Sequence, residues 1–328
     1  MSEAMTGPTV SIIIPTWNRC DLVAECLRSL EKQTFRDVEI IVVDDGSTDD
    51  TVEVLHWDFP QAKVIQRSKN QGFAVAVNAG IRQARGEWIF LLNNDVTLGP
   101  RCLEHLLASA SQTQADMIAP LILWKDSPET IYSAGDAIRT NARPESIGFR
   151  SPCEGFVFPQ TIFGVSAAAG LYHSRIFKTV GLLDETFIAY FEDSDLCFRA
   201  RLAGFTAALA PEAIAYHVGS ASISGKTWWR SAQCFRNHGL LIIKNMPLPL
   251  IIRYSPALIR ERIHQARMLF SAARAEFGAA KAILIFYSTL FSFFRALPHA
   301  FWERFRIQRK RRLDVTELRS LLSVWKAT

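Results

Sequence analysis

No two of the six cysteines, Cys20, Cys26, Cys102, Cys153, Cys197 and Cys234, stand at CxxC spacing, and no regular interval relates them. That pattern excludes a zinc ribbon and offers no disulfide framework, so a reducing compartment is expected. The opening "MSEAMTGPTVSIII" lacks the basic start and long apolar core of a signal peptide, which gives a cytoplasmic expectation. No internal repeat is present. The uncharged apolar run near the chain's end, Ala282 to Phe294, falls short of the roughly 20 residues of a membrane span. An interfacial helix remains open to it.

What is present is a chain of 328 residues, long enough to bury a substantial core, with a modest net charge of +5. From Thr9 to about Leu123 short apolar runs ("VSIII", "EIIVV", "KVIQ", "EWIFLL") alternate with amphipathic ones ("LVAECLRSLEKQ", "TVEVLHW", "FAVAVNAGIRQA", "RCLEHLLASA"). Strands and helices at this spacing predict βαβ units around a mostly parallel sheet. Residues 124–160 are rich in turn formers and predict loop and hairpin. After Leu240 the character changes to strongly apolar segments and then to the basic "ERFRIQRKRRLDV". The expected division is an α/β domain over 1–240 and an amphipathic helical region with a basic tail over 241–328. Aromatics interleaved with arginines predict that this region meets an anionic membrane surface rather than nucleic acid.

Several strands end on polar residues at what would be the carboxyl edge of the sheet, where open α/β sheets bind ligands. "IIIPTWNR" ends on Pro15, Thr16, Trp17 and Asn18, and "EIIVVDDGSTDD" ends on Asp44 and Asp45. Asp49 and Asp50 are explained by a helix start, where negative charge is favoured. Asp44 and Asp45 precede the turn and are not. "NQGFAVAVNAG" follows, with Asn70 and with Gly72, which permits a close backbone approach. "WIFLLNNDVTL" delivers Asn93, Asn94 and Asp95 to the same edge, and "YFEDSDLCFRARLAGF" sets Glu192, Asp193 and Asp195 at a helix start with Arg199 four residues beyond Asp195. His217 ends the apolar run "AIAYH".

In this fixed order these motifs resemble the family-2 glycosyltransferases of GT-A fold, over residues 9 to about 245, and most closely their rhamnosyltransferase-like branch. The resemblance implies a Rossmann-like mixed sheet that binds a nucleoside-diphosphate sugar, followed by a helical, membrane-associating extension. It places Pro15, Trp17, Asn18 and Asp45 at the nucleobase, Asn70, Gly72 and Arg236 near the diphosphate, and Glu192 beside Asp193, the general base. Asp95 with His217 would ligate Mg or Mn, with Asn94 a weaker neighbour, since this chain has one carboxylate where many relatives have two or three. Small residues around Ala168, Ala169 and Gly170 would floor the acceptor site. The implied enzyme is inverting and metal-dependent. It passes a sugar, rhamnose by the branch, to a lipid-linked or polysaccharide acceptor in cell-envelope synthesis, bound peripherally at the inner face of the membrane. The alternatives are a sugar-phosphate nucleotidyltransferase, whose Gly-rich Arg-containing loop "PTWNR" does not provide, and a non-enzymatic nucleotide-binding protein that docks on membranes.

Overall fold

A computed structural model describes residues 7–219 and 227–322. The expected alternation is realised as β1 (Val10–Thr16), α1 (Cys20–Glu31), β2 (Val38–Asp44), α2 (Thr51–Asp58), β3 (Lys63–Gln66), α3 (Phe73–Gln83) and β4 (Trp88–Leu92). Then come β5 (Val96–Leu98), α4 (Cys102–Thr113) and β6 (Met117–Trp124), followed by three short strands, β7 (Ile131–Ser133), β8 (Asp136–Ile138) and β9 (Pro144–Ser146). The α/β part closes with β10 (Ala169–His173), α5 (Arg175–Val180), α6 (Glu192–Leu202) and β11 (Ala207–His217). Among the described residues four helices follow: α7 (Thr227–Asn245), α8 (Leu248–Phe277), α9 (Ala279–Lys310) and α10 (Val315–Leu321).

The sheet runs β3-β2-β1-β4-β10-β6-β11-β5, with β7 on β6. Its first four strands are parallel, and β10 enters antiparallel to both β4 and β6, so the sheet is mixed. Period-two alternation sends Ile12 and Ile14 of β1 to one face, against α1, α2 and α4, and Ile13 to the other, against α3, α5 and α6. Both faces are covered, which is why these strands are apolar throughout. Gly80 lets α3 lie close: a Cβ there would stand 2.4 Å from Ile13 Cγ2. Asn78 of the same helix is buried and satisfied, donating to the Leu183 carbonyl and accepting from the Leu183 amide.

The helical part is not separable where the sequence predicted. The boundary after Leu240 falls inside α7, which has buried polar residues on both sides of it. Lys244 pairs with Asp195 (2.9 Å) and with Asp184, Asn245 donates to Asp195 (2.8 Å), and Asn237 donates to the carbonyls of Ala189 and Tyr190 (2.9 Å each). α7 is therefore part of the mount of α6. Helix α9 is continuous through Pro298. As a whole helix it is long and apolar enough to cross a membrane, which the uncharged run alone does not suggest. Its inner face nevertheless packs on α7: Arg236 donates to Ser292 (3.0 Å) and Arg304 to the carbonyls of Ile243 and Met246 (2.7 Å each).

Candidate active site

Three parallel strands deliver their ends to one edge. After β1 the chain turns through two consecutive left-handed residues, Asn18 (φ 56) and Arg19 (φ 61). The following loop of β2 holds this turn: the Asn18 amide donates to Ser47 Oγ (2.7 Å) and the Thr48 amide donates to Asn18 Oδ1 (2.8 Å). Trp17 is left exposed beside it, while Pro15 is buried within β1.

The adjacent carboxylates Asp44 and Asp45 do different things. Asp44 is wholly buried and accepts from the Ser47 amide (3.1 Å), closing its own turn. Asp45 turns toward the Asn70–Gly72 segment, where its Oδ2 accepts from the amides of Gln71 and Gly72 (2.9 Å each), and its Oδ1 pairs with Arg67 Nε (2.9 Å). Asp45 thus organises the loop that precedes α3. Gly72 (φ 99) sits where a Cβ would approach the Ile188 carbonyl oxygen to 3.0 Å, so this loop abuts the segment leading into α6.

Strand β4 ends at Asn93–Asp95, and sheet register brings His217 to it. His217 pairs with Val96, the first residue of β5, so the imidazole lies beside Asp95, with Nε2 3.1 Å from Oδ1. Both side chains are buried, and His217 Nδ1 has no hydrogen-bond partner. The edge of the Tyr132 ring packs on the imidazole at 4.3 Å between centroids. Asn94 instead donates to Thr16 Oγ1 (3.0 Å), which joins the ends of β1 and β4. Among the described residues no group of three or more His, Cys, Asp or Glu side chains is placed to hold a metal. One carboxylate oxygen and one imidazole nitrogen fit a divalent ion that takes the rest of its shell from substrate phosphate oxygens.

The second half of the site is the start of α6. Tyr190 (φ 66) and Phe191 (φ 74) are again consecutive left-handed residues, each costing about 1–3 kcal/mol unless the surroundings enforce them. Asn237 does so through its hydrogen bonds to the two carbonyls just before Phe191. Asp193 then accepts from the Ser194 amide (2.6 Å) and the Ala167 amide (3.3 Å), and burial raises its carboxyl above the usual range. Glu192 is pushed well up, by burial first and by Asp193 second, and its Oε2 has no partner. Both acids line a cavity of about 520 Å³.

The same cavity receives Asp136, which the sequence did not single out. Burial, and then the charge of Asp193, raise its carboxyl, and it accepts from Ser146 Oγ (3.1 Å). It lies in a three-residue strand inside the turn-rich segment, where no periodicity marks it.

Two expected placements are corrected. Arg236 does not point at a diphosphate: its guanidinium is buried and donates to Ser292, the Thr186 carbonyl (2.8 Å) and Asn237 Oδ1 (2.7 Å). Ala169 and Gly170 are inside β10 between β4 and β6, so they are sheet core and not a floor. The backbone that faces Asp193 is at Ala167.

Comparison with known proteins agrees with this architecture. The family model described as glycosyl transferase family 2 matches residues 11–180. An uncharacterized glycosyltransferase of Rickettsia typhi is 29% identical over 207 residues, which are 61% of this chain and 60% of that protein. A PGL/p-HBAD biosynthesis glycosyltransferase of Mycobacterium tuberculosis is 38% identical over 97 residues, 29% of this chain and 38% of its own. The chain spans about three fifths of the length of the first of these relatives. Among solved structures, the mannosyltransferase PcManGT of Pyrobaculum calidifontis in complex with GDP-Man and Mn2+ superposes with a TM-score of 0.53 at 17% identity, covering 93% of this chain and 85% of that one. GalNAc-T7 with UDP, GalNAc and Mn2+ gives 0.59 at 17% identity, covering 74% and 48%. The shared fold is a Rossmann-like mixed α/β sheet of GT-A type, here followed by helices.

Proposed function

The chain belongs to glycosyl transferase family 2, and on that premise we propose that it moves a sugar from a nucleoside-diphosphate donor to a hydroxyl of a lipid-linked or polysaccharide acceptor of the cell envelope. The observation that carries this reading is a meeting at one end of one sheet. The Asp95–His217 pair lies there together with a buried carboxylate, Asp193, that faces a cavity. Trp17 stacks on the base, with Pro15, Asn18 and Asp45 around it, and Asn70 and Gly72 border the diphosphate. Asp95 and His217 would hold Mg or Mn, with Asn94 beside them bracing the strand ends. The bound ion supplies positive charge that offsets the charge of the departing diphosphate. Asp193 takes the proton of the acceptor hydroxyl as that oxygen bonds to the anomeric carbon and the bond from that carbon to the diphosphate oxygen breaks. A single displacement from the opposite face inverts the configuration. Support for an envelope acceptor and for rhamnose comes from the resemblance of the motifs and basic tail to the rhamnosyltransferase-like branch.

Radiolabel transfer from a panel of nucleotide sugars to a lipid extract tests the reaction. Transfer from at least one donor is expected; neither transfer nor donor hydrolysis with any of them would reduce the chain to a binder. Asp95→Ala and His217→Ala are each expected to raise the metal concentration needed for half-maximal transfer and to weaken metal-dependent donor binding in calorimetry. If a chelator leaves transfer by the parent intact, both assignments fall.

The reading includes docking on the inner face of the cell membrane through the outer side of α9. Leu284, Tyr287, Phe291, Phe294, Phe301 and Phe305 form an exposed stripe at helical spacing. Phe286 and Phe293 of the same helix, which belong to the aromatic run expected to meet the membrane, instead pack inward: Phe286 on Phe235, and Phe293 within reach of Gly239 and Arg262. Several tail cations are also engaged within the protein, Arg304 on carbonyls and Arg306 on Glu303. Binding is therefore expected to rest mainly on the aromatic stripe. The full chain should pellet with vesicles containing anionic lipid at low salt, and Phe291→Glu with Phe294→Glu should abolish pelleting without disturbing the fold, since both rings face solvent. Equal pelleting by that variant would place the contact elsewhere.

A further inference from the structure

Helix α8 carries arginines at Arg253, Arg260, Arg267 and Arg274, every seventh residue, so they follow one side of the helix at about 10 Å intervals. All four are exposed, and none forms an ion pair with a carboxylate among the described residues. Two of them, Arg260 and Arg267, line a cavity of about 580 Å³ together with Arg139 and His264. His264 and Glu261 also line the cavity that holds Asp193, so one wall of α8 is common to both. Glu261 does not neutralise the arginines by direct pairing. Its two oxygens accept from Asn141 (3.0 Å) and Gln265 (2.9 Å).

The two cavities have opposite chemistry. On the Asp193 side the lining offers polar atoms without partners, the buried Glu192 Oε2 and Gln265 Oε1, beside Asp136 and Asp193. Such groups call for hydroxyls, which both donate and accept and which a sugar supplies in number. On the Arg260 side, Arg139 is paired with Glu145 and Glu261 is engaged by Asn141 and Gln265, which leaves the guanidinium groups of Arg260 and Arg267 in no ion pair among the described residues; such donors suit phosphate oxygens. Next to this cationic row, Ile252, Ile259 and Ile263 are exposed on α8.

We propose that the adjoining cavities form one acceptor site for a glycosyl phosphate, with the sugar at Asp193 and Glu192 and the phosphate at Arg260 and Arg267. The phosphate is a lipid phosphate whose apolar chain leaves along Ile259 and Ile263. This rests on the glycosyltransferase reading for its role but not for its detection, because phosphate binding can be measured without any transfer.

The experiment is calorimetric titration of the full chain with inorganic pyrophosphate and with farnesyl diphosphate, in chelator so that no ion helps hold a diphosphate at Asp95. Both probes should bind the parent, farnesyl diphosphate the more tightly. The double variant Arg260→Gln/Arg267→Gln should lose at least tenfold in affinity for each; the exposed positions leave the fold in place, as circular dichroism would verify. Arg253→Gln/Arg274→Gln removes the same charge from the same row outside the cavity and should bind as the parent does. Equal loss in the two double variants, or no binding by the parent, overturns the subsite. Equal affinity for both probes, lost only with Arg260 and Arg267, keeps the phosphate subsite and overturns its lipid source. If phosphate binding behaves as expected while no donor supports transfer, the subsite stands and the proposed reaction falls.

Discussion

Asp193→Asn is expected to lower turnover by about 10² or more while leaving donor binding in place, because a positioned base is removed and nothing on the donor side of the sheet is touched. The amide keeps an oxygen for the short bond from the Ser194 amide (2.6 Å) and sets its amino group against the Ala167 amide, the weaker of the two backbone contacts (3.3 Å). The fold should therefore survive. The pH profile carries a second signature. Burial raises the Asp193 carboxyl, and a base must be ionised to act, so the acid limb of kcat/KM should lie above the ordinary aspartate range near pH 4. Asp136 is pushed up to about 8 by burial and by the charge of Asp193, so it stays protonated while Asp193 ionises, and Asp136→Asn should leave that limb in place. Transfer at near-parent rates by Asp193→Asn would exclude it as the base, and a limb that falls in Asp136→Asn would mean that Asp136 carries charge first.

Lys244→Met should cost about 3–5 kcal/mol in denaturant unfolding at neutral pH, the size expected when one partner of a buried charge network is deleted. Lys244 is 1% exposed and serves two acids, Asp184 and Asp195, with the Phe187 ring 4.8 Å from its ammonium. Burial pulls both carboxyls up, but Lys244 outweighs it at Asp184, and Lys244 with Arg199 outweighs it at Asp195, so both titrate below their ordinary range. An acid depressed in the folded state contributes stability above its unfolded pKa and loses it as pH falls through the folded one. The penalty of Lys244→Met should thus be full above about pH 4 and shrink below it. A variant as stable as the parent at pH 7 would mean that Arg199 and Asn245 suffice for Asp195.

The alternating apolar runs announced the sheet because period-two and helical spacings are properties of each segment alone. β1, β2 and β4 with their polar ends could be read in that way. Family membership removes the nucleotidyltransferase alternative on the same ground, since the motifs around Asp45 and Asp95 occur in fixed order. The nearness of Asp95 and His217 came from the resemblance; the contact itself depends on the β5–β11 register, which no local pattern encodes. Asp136 was hidden because a three-residue strand among turn formers has no period. Arg236 was misplaced for a different reason. Its partners are a backbone carbonyl and two neutral side chains, whereas a sequence offers only charges to match with charges. The division at Leu240 followed a change in composition, while the helix there is continuous because its buried polar residues answer Asp184 and Asp195, far upstream.

The double attachment of α7 has a geometric consequence. One side of this helix clamps the loop that aims Asp193, and the other side is bonded to α9 through Arg236–Ser292 and through Arg304 on the Ile243 carbonyl. If the outer side of α9 rests on a bilayer as proposed, no hinge would separate that anchor from Asp193, the proposed base. The proposed centre would then work at a fixed altitude. Acceptors would be sorted by how far their hydroxyl stands from the lipid, as by a ruler, before any sugar-specific contact is made.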